Sequence, residues 1–345
     1  MLKDVTVSSA PHVSKPLSTR GVMVDVVIGL APAMLAAGYY FRAHAVILIA
    51  TCVIACAGTE WLCNLIRKKP NSLDDCSAIV TGIILALSLP PGLPVWAAVV
   101  GGVFCIAIGK MVFGGLGANI FNPAMVGRTF LTASFGMLMT TWMVPVTIAA
   151  VKPEISADNR VKAVSEGSVL HARTQATPLA LSKDALKKKE GADVVNEQLW
   201  AAFTGEVGGC LGETSALALI IGVIYLLMRR TINFHIPLAV LLSSFVFTSI
   251  PYLINSESSI SPLSHLCSGG LLMCAFFIAT DPVTAPLTRR GMWVFGIGVG
   301  AITMLIRIVG EYPEGVMYSI LLMNAVTPLI DRLFKRIPTG GKASG

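Results

Sequence analysis

The sequence predicts an all-α polytopic membrane protein: two inverted repeats of about five transmembrane helices, some of them broken, joined through a polar extracytoplasmic loop. Three observations carry this. The 345 residues are 54% hydrophobic and 13% charged, with a mean hydropathy of +0.74, whereas a soluble domain carries about 25% charged residues. Apolar runs recur at bilayer-crossing length, about 20 residues as helix. The two halves also repeat an ordered set of landmarks.

The apolar runs lie near 21–41, 45–66, 77–89, 95–113, 121–150, 214–228, 236–254, 262–280, 292–309 and 316–334. Some are short and end in proline or glycine, as at Leu89-Pro90-Pro91-Gly92 and Asp281-Pro282. Breaks inside a membrane survive only where protein or a water-filled cavity satisfies the freed backbone groups. Basic residues set the orientation. With Lys3, Lys15 and Arg20 inside, the inner connections hold Arg67-Lys68-Lys69, Arg229-Arg230, Arg289-Arg290 and Arg332 with Lys335 and Arg336. The short outer connections hold Arg42 and little else, a positive-inside pattern.

Five segments follow: a cytoplasmic segment 1–20, a first membrane repeat 21–151, an extracytoplasmic loop 152–200, a second repeat 201–336 and a cytoplasmic tail 337–345. The first segment is polar, without the apolar core of a cleavable signal. The loop is the one long polar island. Its lysines (Lys183, Lys187, Lys188, Lys189) run against the charge pattern, but long loops cross largely regardless of charge.

The internal echo is specific. Pro90-x-x-x-Pro94 precedes Trp96, and Pro282-x-x-x-Pro286 precedes Trp293. Gly101 and Gly298 lie five residues after each tryptophan, and Lys110 and Arg307 fourteen after. Asn122-Pro123-Ala124 and Asn324-Ala325-Val326 follow. An odd number of spans per half turns the second copy over. Inverted repeats with broken helices are a transporter-type architecture whose sites lie near the midplane.

An intramembrane carboxylate is a functional-site hypothesis by default. Glu60 lies deep in an apolar run, Asp25 near the start of the first, Glu213 at the opening of the sixth and Asp281 at a helix break. These four are the candidate ion pathway. Plain ion pairing is the competing reading: Asp25 with an inner-side base, Asp281 with Arg289. Lys110 and Arg307 read equally as snorkelling side chains at span ends.

Other classes are set aside. The net charge of +7 sits largely in juxtamembrane clusters, so it does not indicate nucleic acid. Eight cysteines form no C-x-x-C pair, and most read as helix-packing residues; Cys52 and Cys56 share a helix face that a partner's cluster could use. Gly114-Gly115-Leu116-Gly117 lacks the third glycine of a dinucleotide loop and follows no strand. No metal-ligand set and no catalytic residue emerges. In the island, Thr177 precedes Pro178, which favours an extended backbone; beside Thr174 and Gln175, composition alone reads this as a turn.

Ala176-Thr177-Pro178-Leu179 resembles the flavinylation motif of the RnfD/NqrB family, membrane components of ion-pumping electron-transfer complexes. Further matches run in order along the chain: Ala10-Pro11-His12, Gly58-Thr59-Glu60, Phe113-Gly114-Gly115-Leu116-Gly117, Asn119, Asn122-Pro123-Ala124 and Gly127-Arg128. In the second half they are Gly212-Glu213-Thr214-Ser215, Ala279-Thr280-Asp281-Pro282-Val283, Tyr312-Pro313-Glu314-Gly315 and Pro328-Leu329-Ile330-Asp331. The short N-terminal segment resembles the RnfD type more than the NqrB type, which works between NADH and quinone.

The resemblance implies a fold of two inverted five-helix bundles, similar to urea transporters. It implies FMN linked through a phosphoester to Thr177, with Thr174, Gln175, Ala176, Pro178 and Leu179 around it; Gln175 stands where the family usually has glycine. It further implies a second, non-covalent flavin (riboflavin), which we place near Asn119, Asn122 and Arg128. Implied partners are a flavin transferase, a second FMN-bearing G-type subunit and iron–sulfur subunits of the Rnf complex. The implied activity is ferredoxin:NAD oxidoreduction coupled to Na+ or H+ translocation in a bacterial cytoplasmic membrane, with the chain inactive alone. Glu60 matches a carboxylate implicated in sodium uptake. The alternatives are an Nqr-type B subunit working between NADH and quinone, a urea-transporter-like solute channel or transporter without a redox role, and a structural scaffold.

Overall fold

The structure is a computed structural model that describes residues 18–143, 203, 208–255, 260–310 and 314–335. Thr174–Leu179, and with them the flavinylation motif, lie outside the described residues. The described residues are helical and contain no β-strand element.

In the first half, α1 (Thr19–Phe41) and α2 (Ala43–Ile66) are joined by Arg42 alone, at φ 49°. A 3-10 turn at Leu73–Asp75 leads into α3 (Ser77–Leu87). Then come α4 (Val95–Ile106), which continues into a wide π-helical turn at Ala107–Met111, α5 (Pro123–Ser134) and α6 (Gly136–Met139). In the second half are α7 (Ala216–Met228), α8 (His235–Ile254), α9 (Pro262–Cys267), α10 (Leu271–Met273) with a π-turn at Cys274–Ile278, α11 (Arg289–Val309) and α12 (Val316–Leu333).

Five of these, α1, α2, α8, α11 and α12, are long and apolar enough to cross a membrane. Two expected spans are broken. The run 121–150 holds α5, whose 12 residues rise about 18 Å against a hydrocarbon core of about 30 Å, and then the single turn of α6. The run 262–280 is split at Ser268–Gly270 between α9 and α10.

Sequence chemistry sets the ends. Ser18, Ser215, Ser261 and Thr288 accept hydrogen bonds from the first-turn amides of α1, α7, α9 and α11. Asn122 Oδ1 accepts from the Ala124 and Met125 N–H groups, with Pro123 at the first helical position of α5. The C-terminal end of α3 is completed by distant chain: Gly212 N–H donates to the Leu87 carbonyl at 2.7 Å and Leu211 N–H to the Leu89 carbonyl at 3.1 Å. Protein thus satisfies the backbone that the Pro90-Pro91 break frees.

The two halves pack alike. In each, the second helix carries the third and fourth elements and the fourth carries the fifth: α2 on α3 and α4, α4 on α5; α8 on α9 and α11, α11 on α12. The landmark glycines do the same work. A Cβ on Gly101 would stand 2.5 Å from Leu131 of α5, and one on Gly298 would stand 2.6 Å from Met323 of α12. The asparagines break the correspondence: Asn122 caps α5, whereas Asn324 is buried inside the continuous α12. The halves meet where α1 crosses α7. There a Cβ on Gly222 would lie 2.0 Å from the Gly29 carbonyl oxygen.

The outward faces are apolar: Leu35, Ile54, Leu253, Leu305 and Val309 are among many exposed large side chains. Such a surface calls for lipid or partner proteins, and the protein is a multi-pass membrane protein.

Candidate functional site

Two buried groups of charged residues flank the junction of the halves. The first is built from α2, α3 and the π-turn after α4. Glu60, near the end of α2, is fully buried, and Lys110 in the π-turn is 1% exposed. Lys110 Nζ lies 2.7 Å from Glu60 Oε2 and donates to Ser77 Oγ at 2.6 Å. Ser72 donates to Glu60 Oε1 at 2.5 Å, and Asn64 donates to Ser72 at 2.8 Å. Ser77 in turn donates to Asp75. Arg67 donates to the Met111 carbonyl at 2.8 Å, pinning the end of the π-turn. Desolvating two ions costs several kcal/mol each, and these short hydrogen bonds offset that cost.

Lys110 and Ser77 also face a cavity of about 70 Å³ lined by Thr81, Asn119, Asn122, Thr231 and Asp281. Asp281 accepts from Thr284 Oγ1 at 2.9 Å and from the Val283 N–H at 3.4 Å. It has no cation partner among the described residues, so the expected pair with Arg289 is absent. On the other side of the first group, an open groove of about 360 Å³ is lined by Asn64, Lys69, Ser72, Asp75 and the Gly114–Leu116 turn.

The second group joins α5 to the approaches of α7 and α12. Arg128 contacts Glu314 in a direct ion pair, Glu213 Oε1 at 3.6 Å and Cys210 Sγ at 3.3 Å. Burial pushes the Glu213 carboxyl up to about 8, with Glu314 adding and Arg128 opposing. Glu314 is pushed up by burial but held below the usual carboxylate range by Arg128. Ligand atoms of Cys210, Glu213 and Glu314 lie within 4.8 Å of one another, and the Arg128 guanidinium contacts all three.

The remaining candidates separate. Asp25 accepts from Tyr225 at 3.1 Å, Arg229 at 3.3 Å and Thr231 at 3.1 Å, which is the ion-pairing alternative. Lys110 and Arg307 do not snorkel: Arg307 is 2% exposed and donates to the His265 and Ser268 carbonyls at 2.8 and 3.1 Å. In both halves this base ties the fourth helix to the third element. Asn119 and Asn122 line the cavity, and Arg128 does not. The space that Asn119 and Asn122 border is about 70 Å³, room for a few waters. Cys52 and Cys56 are fully buried, with Cys56 donating to the Gly102 carbonyl of α4, so neither is open to a partner's cluster.

Sequence reading missed Ser72, Ser77, Cys210 and Glu314 as site residues. Ser77 at a half-helix start and Glu314 in its Tyr312-Pro313-Glu314-Gly315 turn were visible; their partners, 33 and 186 residues away, were not.

Residues 6–340 match the family described as NQR2, RnfD, RnfE. The D component of the Na(+)-translocating ferredoxin:NAD(+) oxidoreductase complex of Acetobacterium woodii is 42% identical over 333 residues, covering 96% of this chain and 94% of that protein. The D component of the proton-translocating ferredoxin:NAD(+) oxidoreductase complex of Clostridium ljungdahlii is 38% identical, covering 97% and 96%. The D component of the ion-translocating oxidoreductase complex of Mannheimia succiniciproducens is 38% identical, covering 97% of both.

Proposed function

We propose, from the premise that this chain belongs to the NQR2, RnfD, RnfE family, that it is the RnfD-type membrane component of a redox-driven ion pump. In that role it relays electrons between ferredoxin and NAD within a larger membrane complex and couples them to movement of Na+ or H+. The observation that carries this reading is likeness along nearly the whole chain to proteins named as the D component of such complexes. A buried carboxylate, Glu60, paired with Lys110 at the edge of a cavity that Asn119, Asn122 and Asp281 also line, supports the ion-moving half of it.

Thr177 carries FMN through a phosphoester on the extracytoplasmic side, installed by a flavin transferase. When bound, that flavin supplies the electron-carrying chemistry. The chain's own part is placement and electrostatics: a hydroxyl as tether, and buried charges whose arrangement responds to charge gained by the carrier. A G-type flavoprotein and iron–sulfur proteins complete the electron path. The complex sits in a bacterial cytoplasmic membrane, with both termini of this chain inside.

The test is in-gel flavin fluorescence and intact mass of the chain from its native membrane. Wild type carries covalent FMN and Thr177→Val does not. A wild-type chain with the mass of its amino acids alone would point instead to a solute transporter. Two of the three relatives above name different ions at similar identity, so the cation is identified by uptake measurements in liposomes.

A further inference from the structure

We propose that Lys110 is a tethered competitor for the transported cation: its ammonium and that cation take turns at Glu60. This rests on the reading of the chain as part of an ion pump and adds a gate to it.

Both carboxylate oxygens of Glu60 are in use, Oε2 by Lys110 Nζ at 2.7 Å and Oε1 by Ser72 at 2.5 Å. Glu60 is fully buried, so no water-exposed lone pair remains for a second cation. A hard cation binds through several oxygens at once, and here the ammonium stands among them, on Glu60 and on Ser77. A cation can therefore reach Glu60 only after Nζ has left.

Nζ has somewhere to go. Lys110 borders the 70 Å³ cavity, and so does Asp281, the carboxylate with no cation partner among the described residues. Asn119, Asn122 and Thr81 offer further oxygens along the same wall. A lysine ammonium is a point charge on a flexible four-carbon stem, suited to two stations. Its backbone sits in a π-helical turn, a helical irregularity frequent at functional sites. The groove reaches Ser72 and Asn64, and the cavity reaches Lys110 and Ser77. The Glu60–Lys110 pair thus bonds on one side to Ser72, which lines the groove, and on the other to Ser77, which lines the cavity. Moving one ammonium between two carboxylates is a two-state element, which any redox-driven pump requires.

The experiment uses the whole complex reconstituted in liposomes, with ferredoxin-driven NAD reduction and cation movement (Na+ uptake and internal acidification) followed together. Lys110→Met removes the competitor. With that competing charge gone, the half-saturating cation concentration falls at least about tenfold, while ions moved per electron drop. Lys110→Arg keeps the charge and the ion pair but is too large for the cavity station; the half-saturating concentration rises severalfold and turnover slows. A purely structural lysine gives no shift in Lys110→Arg. Half-saturation and stoichiometry unchanged in Lys110→Arg, or in an assembled Lys110→Met, overturn the gate. A wild-type complex that moves neither Na+ nor H+ overturns the pump reading itself, and the gate falls with it.

Discussion

Substituting Gly222 by alanine places one methyl group at the crossing of the two halves. The new Cβ would stand 2.0 Å from the Gly29 carbonyl oxygen and 3.0 Å from the Phe277 ring. A carbon approaches a carbonyl oxygen no closer than about 3.3 Å in favourable contacts, so α1 and α7 must part by more than ~1 Å. Overpacking of this kind costs about 1–3 kcal/mol, and the helix-propensity gain of alanine over glycine returns about 1 kcal/mol at most. The net expectation is a loss. Gly38, also on α1, has nothing within 4 Å of its added Cβ, so Gly38→Ala is the control and should match or exceed wild type. The assay is thermal unfolding of the detergent-solubilised chain, followed by size-exclusion fluorescence. A Gly222→Ala protein melting at or above wild type, or one indistinguishable from Gly38→Ala, would refute the close-crossing argument.

Glu60→Gln removes the charge that holds Lys110 and should slow ion-coupled turnover; unchanged ion pumping removes Glu60 from the proposed path. Breaking a buried pair from one side costs about 3–5 kcal/mol, so assembled yield should fall as well, read by membrane abundance of the chain. Glu213 gives a pH prediction. Its carboxyl is raised from an ordinary 4.5 to about 8, so its stabilising contribution is full below pH 4.5 and lost as pH rises through 8. The melting temperature of wild type should therefore fall more steeply across that window than that of Glu213→Gln, and parallel slopes would contradict the assignment.

Much of the site was legible as residue types and little of it as pairs. Glu60 stood out because a carboxylate in an apolar run is costly. Its partner did not, because Lys110 lies 50 residues away and reads equally as a snorkelling side chain. The Trp-to-base spacing shared by Lys110 and Arg307 was the stronger clue: both prove buried and both tie the fourth helix of their half to the third element. Asn122 and Asn324 matched by the same logic and are not equivalent, since α12 begins earlier than α5 relative to its asparagine. Asp25 and Asp281, both read as candidate ion-path carboxylates or as ion-paired, part company in space, one on Arg229 and the other without a cation among the described residues.

Hydropathy, charge asymmetry and punctuation by proline and glycine are local properties, so the chain's order alone determined the membrane class, the repeat and most helix ends. Which charges meet was decided by folding. A buried ion pair needs its partners within a few ångströms, and that distance is set by how α2, α3 and the π-turn converge and by how α5 meets the two approaches to α7 and α12. Three-dimensional packing likewise decided the size of the space beside Asn119 and Asn122, because a void is whatever side chains from several elements together fail to fill.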